Sequence, residues 1–216
     1  MSHLRLSLEQ AVARRVDGPT MGCWLSGGLD SSAMAALAKP HVQELHTFSA
    51  GLADAQDLRF ARLIADHLNT SHHEVLVDLP QMIDTLPDVI YHLESFDALL
   101  VRSSITNYLV TSRAADSVGS VFSGEGADEL FGGYAYLKEL DGNAIPEELV
   151  DITRRLHNTA LQRVDRSASS RGLVAHVPFL DLDVVDFAMR IQAKHKLRHG
   201  ETTVEKWILR IALRDL

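Results

Sequence analysis

Hydrophobic and polar residues follow two periods along the chain, one typical of buried strands and one typical of amphipathic helices. Short apolar runs of strand length occupy residues 21–25, 44–50, 72–77 and 118–123. Apolar residues three or four positions apart predict helices over residues 33–38, 57–68, 78–94 and 102–115, the third with a break or kink at Pro87. Because strands and helices alternate, we predict an α/β fold with a parallel sheet and ligands beyond the carboxyl ends of its strands.

Helical patterns flank this core on both sides. Before it, a capping box at residues 7–10 predicts the start of a helix that stops at residues 17–19. After it, a proline-initiated pattern predicts one helix over residues 145–164, and Lys206 falls within the pattern of a last helix. The basic residues of this region are expected to be solvated, with binding to phosphate as the alternative, namely Arg163, Arg166 and Arg171.

Composition limits the domain organisation and the classes of function. The 216 residues, 46% of them hydrophobic, predict a single domain over residues 1–216, with an α/β core over about 20–135 and a helical portion over about 145–216. The net charge of −8 argues against sequence-independent nucleic-acid binding and favours small-molecule substrates. The single cysteine, Cys23, excludes an internal disulfide framework, and the eleven histidines show no zinc-binding spacing. Without an apolar signal region or a membrane-spanning run, we expect a cytoplasmic protein.

A glycine turn joins the first predicted strand to the helix that follows it. Residues 25–32 read Leu-Ser-Gly-Gly-Leu-Asp-Ser-Ser. The two glycines permit positive φ and close approach to a ligand, and the Asp and Ser residues offer capping groups beside free N–H donors. This arrangement predicts a phosphate site, although it lacks the lysine of the common loop G-x-x-x-x-G-K-[ST]. A plain turn with a helix cap is the alternative.

A second turn, acidic and rich in glycine, follows the fourth predicted strand. Residues 123–134 read Ser-Gly-Glu-Gly-Ala-Asp-Glu-Leu-Phe-Gly-Gly-Tyr, with three carboxylates and four glycines. Neighbouring carboxylates repel one another unless a cation joins them, and Mg²⁺ commonly uses one or two carboxylates together with phosphate oxygens. The sequence therefore predicts a magnesium site beside the phosphates, with an acidic surface loop as the alternative.

The order of these motifs resembles that of a known family. The string Ser-Gly-Gly-Leu-Asp-Ser-Ser is similar to the signature of the ATP-pyrophosphatase (PP-loop) enzymes, which cleave ATP between the α and β phosphates. Together with the acidic motif and Val-Pro-Phe-Leu-Asp at 177–181, it resembles the synthetase domain of the asparagine synthetase B family, whose relatives include β-lactam synthetases. The resemblance implies the PP-loop fold, also called adenine nucleotide alpha hydrolase-like. It also implies a ligase that uses ATP and Mg²⁺ to adenylate the β-carboxylate of aspartate, releasing pyrophosphate, before ammonia displaces AMP.

The resemblance also assigns roles to individual residues. It implies Mg²⁺ ligation by Asp30 and Asp128, and catalytic roles for Asp30, Glu125 and Arg102. Arg102 would face phosphate or substrate, with a surface position as the alternative. The residues that would contact the nucleotide or the acyl adenylate are Trp24, Leu25, Ser26, Gly27, Gly28, Asp30, Ser31, Ser32, Ser49, Ala50, Gly51, Ser123, Gly124 and Glu125.

Departures from the family pattern leave alternatives open. Leu99 and Leu100 replace residues that are generally hydroxylic, and His176 replaces an arginine, so we expect fewer donors for a small dianionic substrate. The family's N-terminal glutaminase domain and its late lysine segment are absent from these 216 residues. The alternatives are a ligase for another carboxylate or a non-catalytic nucleotide-binding homologue. Free ammonia and a separate glutaminase subunit are the alternative nitrogen sources. Assembly into a homodimer is also left open.

Overall fold

The computed structural model describes residues 2–200 and 202–216. Its strands are β1 (Thr20–Trp24), β2 (Glu44–Gly51), β3 (Ser71–Leu76), β4 (Ser120–Phe122) and β5 (Val174–His176). They form one sheet in the order β3-β2-β1-β4-β5, and every neighbouring pair is parallel. The predicted α/β fold with a parallel sheet is confirmed. The first four strands match the predicted runs, whereas β5 lies within the portion predicted to be helical.

Helices cover both faces of the sheet and join its strands. They are α1 (Ser2–Ala13), α2 (Leu29–Ala38), α3 (Gln56–Leu68), α4 (Leu79–Leu93), α5 (Ala98–Ala115), α6 (Ala127–Phe131), α7 (Ile145–Arg155), α8 (Ala160–Ser169), α9 (Leu182–Met189), α10 (Ala193–Lys196) and α11 (Trp207–Ala212). Within the described residues, none of these helices is long and apolar enough to cross a membrane.

The helices at the start of the chain and after residue 145 differ in more than their ends from those predicted. The first begins at Ser2, so Ser7 lies inside α1 and is not its cap; the buried stripe starts already at Leu4. The helix predicted over residues 145–164 is interrupted by a 3-10 turn, Leu156–Asn158. The physical reason is that its two halves have different partners, because α7 packs against α6 while α8 packs against α5.

Successive side chains along each strand point to opposite faces of the sheet, where they pack against two layers of helices. Met21, Cys23 and Leu45 pack in the layer that contains α1, α2, α9 and α11. Phe48 and Val121 pack on the opposite face against α5 and α8. Burial raises the pKa of Cys23 to about 12, so this thiol is a core residue rather than a nucleophile.

The strand order creates an opening on one side of β1. The chain goes from β1 through α2 to β2 on one side, whereas β4 pairs with β1 on the other side. Loops that follow β1 and β4 therefore diverge at a topological switch point, where open parallel sheets bind their ligands. The two motifs singled out in the sequence are these two loops.

Candidate functional site

A cavity of about 400 Å³ lies at the carboxyl ends of β1, β2 and β4. Its walls come from both motif loops, the end of β2, and one face each of α3, α5 and α8. The lining residues are Trp24, Leu25, Ser26, Asp30, Ser31, Phe48, Ser49, Ala50, Asp57, Leu58, Thr106, Asn107, Val110, Ser123, Gly124, Glu125, Asp128 and Arg163.

The first loop is braced by hydrogen bonds among its own residues. The amide of Ser26 donates to Ser31 Oγ (3.1 Å), and the two hydroxyls lie 3.0 Å apart. The Ser31 hydroxyl also donates to the Gly28 carbonyl oxygen, at 3.2 Å. Gly27 has a φ of +77°, whereas Gly28 has an ordinary φ of −73°, so the expectation of positive φ is confirmed at Gly27 and wrong at Gly28.

The start of α2 differs from the expected capping arrangement. Gly28 is the N-cap and provides no side-chain cap, so the prediction that Asp30, Ser31 and Ser32 cap the helix is wrong. Ser31 instead braces the loop, and Ser32 Oγ is buried without a hydrogen-bond partner among the described residues. A glycine N-cap leaves the first-turn N–H groups of α2 available to an anion, which preserves the predicted phosphate site.

The second loop packs directly on the start of α2. A Cβ at Gly124 would lie 3.0 Å from the Asp30 carbonyl carbon and from the Ser31 nitrogen. The absence of a side chain at Gly124 allows this close approach, which brings the acidic motif beside the first loop. Next to it, Arg163 donates to Glu125 Oε1 at 2.6 Å, and both side chains line the cavity.

Lys206 joins the two loops electrostatically. Its Nζ lies 2.5 Å from Asp30 Oδ2 and 2.7 Å from Asp128 Oδ1, and Lys206 is 7% exposed. Burial works against the charged amine, but the two carboxylates prevail and raise the pKa of Lys206 above its ordinary value. Burial also raises the pKa of the Asp30 carboxyl, with Lys206 opposing that shift. The site therefore holds a buried cation between two acids.

The donor set fits magnesium held jointly by protein and phosphate. Asp30 Oδ1 is buried and has no hydrogen-bond partner among the residues that the structure describes. No group of three or more His, Cys, Asp or Glu residues that could hold a metal occurs within 2–200 and 202–216. Two carboxylates completed by phosphate oxygens and water suit Mg²⁺ better than zinc, which requires a fuller set of protein ligands.

The structure brings most of the sequence-predicted residues together. Of these, the cavity wall contains Trp24, Leu25, Ser26, Asp30, Ser31, Ser49, Ala50, Ser123, Gly124, Glu125 and Asp128. The cavity wall does not include the other predicted nucleotide-binding residues Gly27, Gly28, Ser32 and Gly51. Arg102 is exposed on α5, one helical turn before Thr106, and does not line the cavity.

Several residues of the site were not predicted from the sequence. Thr106, Asn107 and Val110 reach the cavity from α5, and Phe48 and Leu58 add apolar surface. The apolar run of β2 indicates that Phe48 is buried, but no local signal identifies the α5 residues as ligand-facing. Two basic residues were also misjudged: Arg163 is not solvated but faces Glu125, and Lys206 precedes α11 at its N-cap rather than lying inside it.

The positions that depart from the family pattern lie away from the cavity wall. Leu99 is exposed, Leu100 is buried within the α4–α5 layer, and neither lines the cavity. His176 lies on β5, with Nε2 3.6 Å from Asp17 Oδ2. We expected these three positions to weaken substrate binding, but none of them lines the cavity.

Comparison with known proteins identifies the family of this chain. The family model for asparagine synthase matches residues 3–150 and 140–216. A probable asparagine synthetase [glutamine-hydrolyzing] from Dictyostelium discoideum is 39% identical over 97% of this chain and 41% of its own length. The asparagine synthetase [glutamine-hydrolyzing] of Triphysaria versicolor is 40% identical over 98% of this chain and 39% of its length. The chain thus spans about two fifths of the length of these relatives.

Two solved structures align with this chain at low sequence identity. NMN synthetase from Francisella tularensis aligns with a TM-score of 0.46 at 15% identity, over 74% of this chain and 72% of that one. The NH3-dependent NAD synthetase from Campylobacter jejuni aligns with a TM-score of 0.45 at 14% identity, over 89% and 92%. The resemblance inferred from the motifs is confirmed by the family model and by the curated relatives: this chain belongs to the asparagine synthase family.

Proposed function

We propose that this chain is an ATP-dependent, AMP-forming ligase that adenylates the side-chain carboxylate of aspartate and transfers the acyl group to ammonia, forming asparagine. The observation that carries the proposal is the packing of Gly124 against Asp30 and Ser31. This contact brings the loop proposed to bind phosphate, with Asp30, beside the acidic loop with Glu125 and Asp128 at one cavity, as a reaction between a nucleotide and a carboxylic acid requires.

The two ends of the cavity suit the two ends of ATP. Phe48, Leu58 and Val110 form an apolar wall on which a purine can pack. At the other end, the N-terminus of α2 offers N–H groups and a positive dipole to the phosphates. ATP bound between them would direct its α-phosphorus toward Gly124 and Glu125.

The chemistry requires positioning rather than a protein nucleophile. A carboxylate oxygen of the substrate forms a bond to the α-phosphorus while the bond to the β-phosphate oxygen breaks, so that pyrophosphate leaves. Ammonia then attacks the acyl carbon, loses a proton and expels AMP. Asp30 and Asp128 are the residues that would hold Mg²⁺, which supplies positive charge to the departing pyrophosphate.

The substrate end carries both acceptors and donors. Arg163, Thr106 and Asn107 line the cavity beside Glu125 and can donate to an acyl substrate, whereas Glu125 can accept from an amine or from attacking ammonia. The relatives are named as glutamine-hydrolyzing enzymes, and we propose that ammonia for this site also comes from glutamine, through a glutaminase domain or subunit.

The first experiment measures pyrophosphate release from MgATP with ammonium, in the presence and absence of L-aspartate. Aspartate-dependent release that is lost in Asp30→Ala and kept in Asp151→Ala, which alters a surface ion pair with Arg155, supports the proposal. If release depends instead on a different acid from a panel of carboxylates, that acid replaces aspartate as the proposed substrate. Binding of ATP without release under any condition would contradict the enzymatic function.

A further inference from the structure

The Lys206 ammonium occupies the place where a cation shared by Asp30 and Asp128 would sit. Its contacts to Asp30 Oδ2 and Asp128 Oδ1 measure 2.5 and 2.7 Å, and its side chain is 9% exposed. A divalent cation held by these two carboxylates would need the volume that the ammonium fills. The two cations therefore exclude each other from this position.

The backbone around Lys206 holds the ammonium in place. Lys206 has a φ of +53°, a left-handed conformation that is uncommon for a residue other than glycine. It directly precedes α11, which is anchored in the main core by Leu209 and Ala212. On the other side, a Cβ at Gly133 would collide with the Asp128 carboxylate and with Cε of Lys206, so glycine is required for this packing. The lysine is built into the site rather than resting on its surface.

We propose that Lys206 is an internal counter-ion that keeps Asp30 and Asp128 together before substrate arrives and competes with a divalent cation for them. The cation alone must displace the ammonium, and its binding is weak. Together with ATP, whose phosphates add oxygen ligands and negative charge, the cation prevails. Lys206 thereby makes metal binding depend on nucleotide. This inference rests on the proposed function only in assigning Asp30 and Asp128 as metal ligands.

Binding of Mn²⁺ in the absence of nucleotide tests this competition. Free Mn²⁺ is measured by electron paramagnetic resonance with the wild-type chain, Lys206→Met and Lys138→Met. Lys138 is the matched control, because it also pairs with a carboxylate, Glu205 at 2.8 Å, outside the site. We expect Lys206→Met to bind Mn²⁺ at least about tenfold more tightly than wild type, because a competing charge is gone, and Lys138→Met to bind like wild type. Equal affinity in Lys206→Met and wild type would overturn the inference.

Acylation of the unmutated chain gives a second test that does not depend on the folding of a variant. Lysines are labelled with acetic anhydride and quantified by mass spectrometry, with and without saturating Mn²⁺. We expect labelling of Lys206 to rise several-fold with Mn²⁺ while Lys138 is unchanged, because the ammonium leaves its ion pairs. Unchanged labelling of Lys206 at a Mn²⁺ concentration that EPR shows to be saturating would overturn the inference.

The outcomes also separate this inference from the proposed function. Equal binding of Mn²⁺ to wild type and Lys206→Met, with pyrophosphate release intact in wild type, removes only the role of Lys206. Failure of both proteins to bind Mn²⁺ even with ATP would overturn the metal site itself, and this inference with it.

Discussion

The two motif loops build the same cavity but are held in place differently. The loop after β1 is stabilised by its own residues, since Ser26 and Ser31 bond to each other and Ser31 bonds to Gly28. In the loop after β4, Glu125 and Asp128 instead take their counter-ions from distant parts of the chain, Arg163 and Lys206, and Lys206 also reaches Asp30 of the first motif. The hydroxyl and amide bonds of the first loop are local, whereas the charge balance of the carboxylates depends on the path of the whole chain.

This difference separates two kinds of contribution to a site. A loop braced from within can present N–H donors as soon as its flanking strand and helix form. A loop braced from outside gains its charge balance only after α8 and α11 have packed. Substitutions in the first loop should therefore act through local geometry, and substitutions around the second through remote ion pairs.

The largest expected effect is the loss of the carboxylate contributed by the second loop. Asp128→Asn should lower the rate of pyrophosphate release by about 10³-fold, as much as losing Asp30, because both carboxylates would hold the same Mg²⁺ in the proposed site and both face Lys206 in the structure. The rate is measured with saturating MgATP and aspartate, and Asp186→Asn, in an exposed pair with Arg190, is the control. A loss below tenfold for Asp128→Asn would show that the two loops do not share one metal.

A glycine pair tests how closely α3 packs on the first loop. Gly27 and Gly172 have similar φ values, +77° and +74°, but a Cβ at Gly27 would meet the backbone of Phe60 and Ala61, whereas Gly172 is surrounded by open space. Urea unfolding should show a loss of about 1–2 kcal/mol for Gly172→Ala and about 2 kcal/mol more for Gly27→Ala. Equal losses would mean that α3 does not restrain the loop.

The remote support of the second loop is tested at Arg163. Arg163→Met leaves Glu125 facing the cavity without its counter-ion, and we expect kcat/KM for aspartate to fall by about 30-fold. Arg166→Met removes a surface arginine of the same helix, 3.4 Å from exposed Glu94, and should change kcat/KM less than about twofold. Similar kinetics for the two variants would contradict a role for the Glu125–Arg163 pair.

The smallest expected effect concerns stability behind the second loop. Lys196 is 2% exposed, and burial lowers its pKa to about 8. Its neighbour Leu197 packs beside Gly132 at the end of α6. The charged amine destabilises the folded state because it is buried away from water. Lys196→Met should therefore raise the free energy of unfolding by about 1–3 kcal/mol at pH 7.

The pH dependence of this gain follows from the direction of the shift. The penalty in the wild-type chain is complete below about pH 8, because the lysine is then charged in both states, and it disappears toward the ordinary value of 10.5. The advantage of Lys196→Met should shrink over that interval in urea unfolding. A gain that is constant from pH 7 to 10.5 would attribute it to packing instead.

Much of the fold could be predicted because its signals are local. The apolar runs of β1, β2 and β3 and the helical period of α3 each appear within a few residues, and their alternation predicts the parallel sheet. By contrast, β5 spans only Val174–His176 and carries no periodic pattern of its own. It becomes a strand because β4 offers an edge to pair with.

By itself, the sequence determined that two glycine-rich loops follow strands β1 and β4, and that they carry carboxylates and hydroxyls suited to phosphate and a divalent cation. Only the tertiary structure decided which basic residues enter the site. Lys206 pairs with Asp30, 176 positions away in the sequence, and Arg163 pairs with Glu125, 38 positions away. No periodic pattern relates residues at such separations along the chain. The physical reason is that turn and helix signals act through neighbouring backbone, whereas an ion pair forms wherever packing brings two distant side chains together.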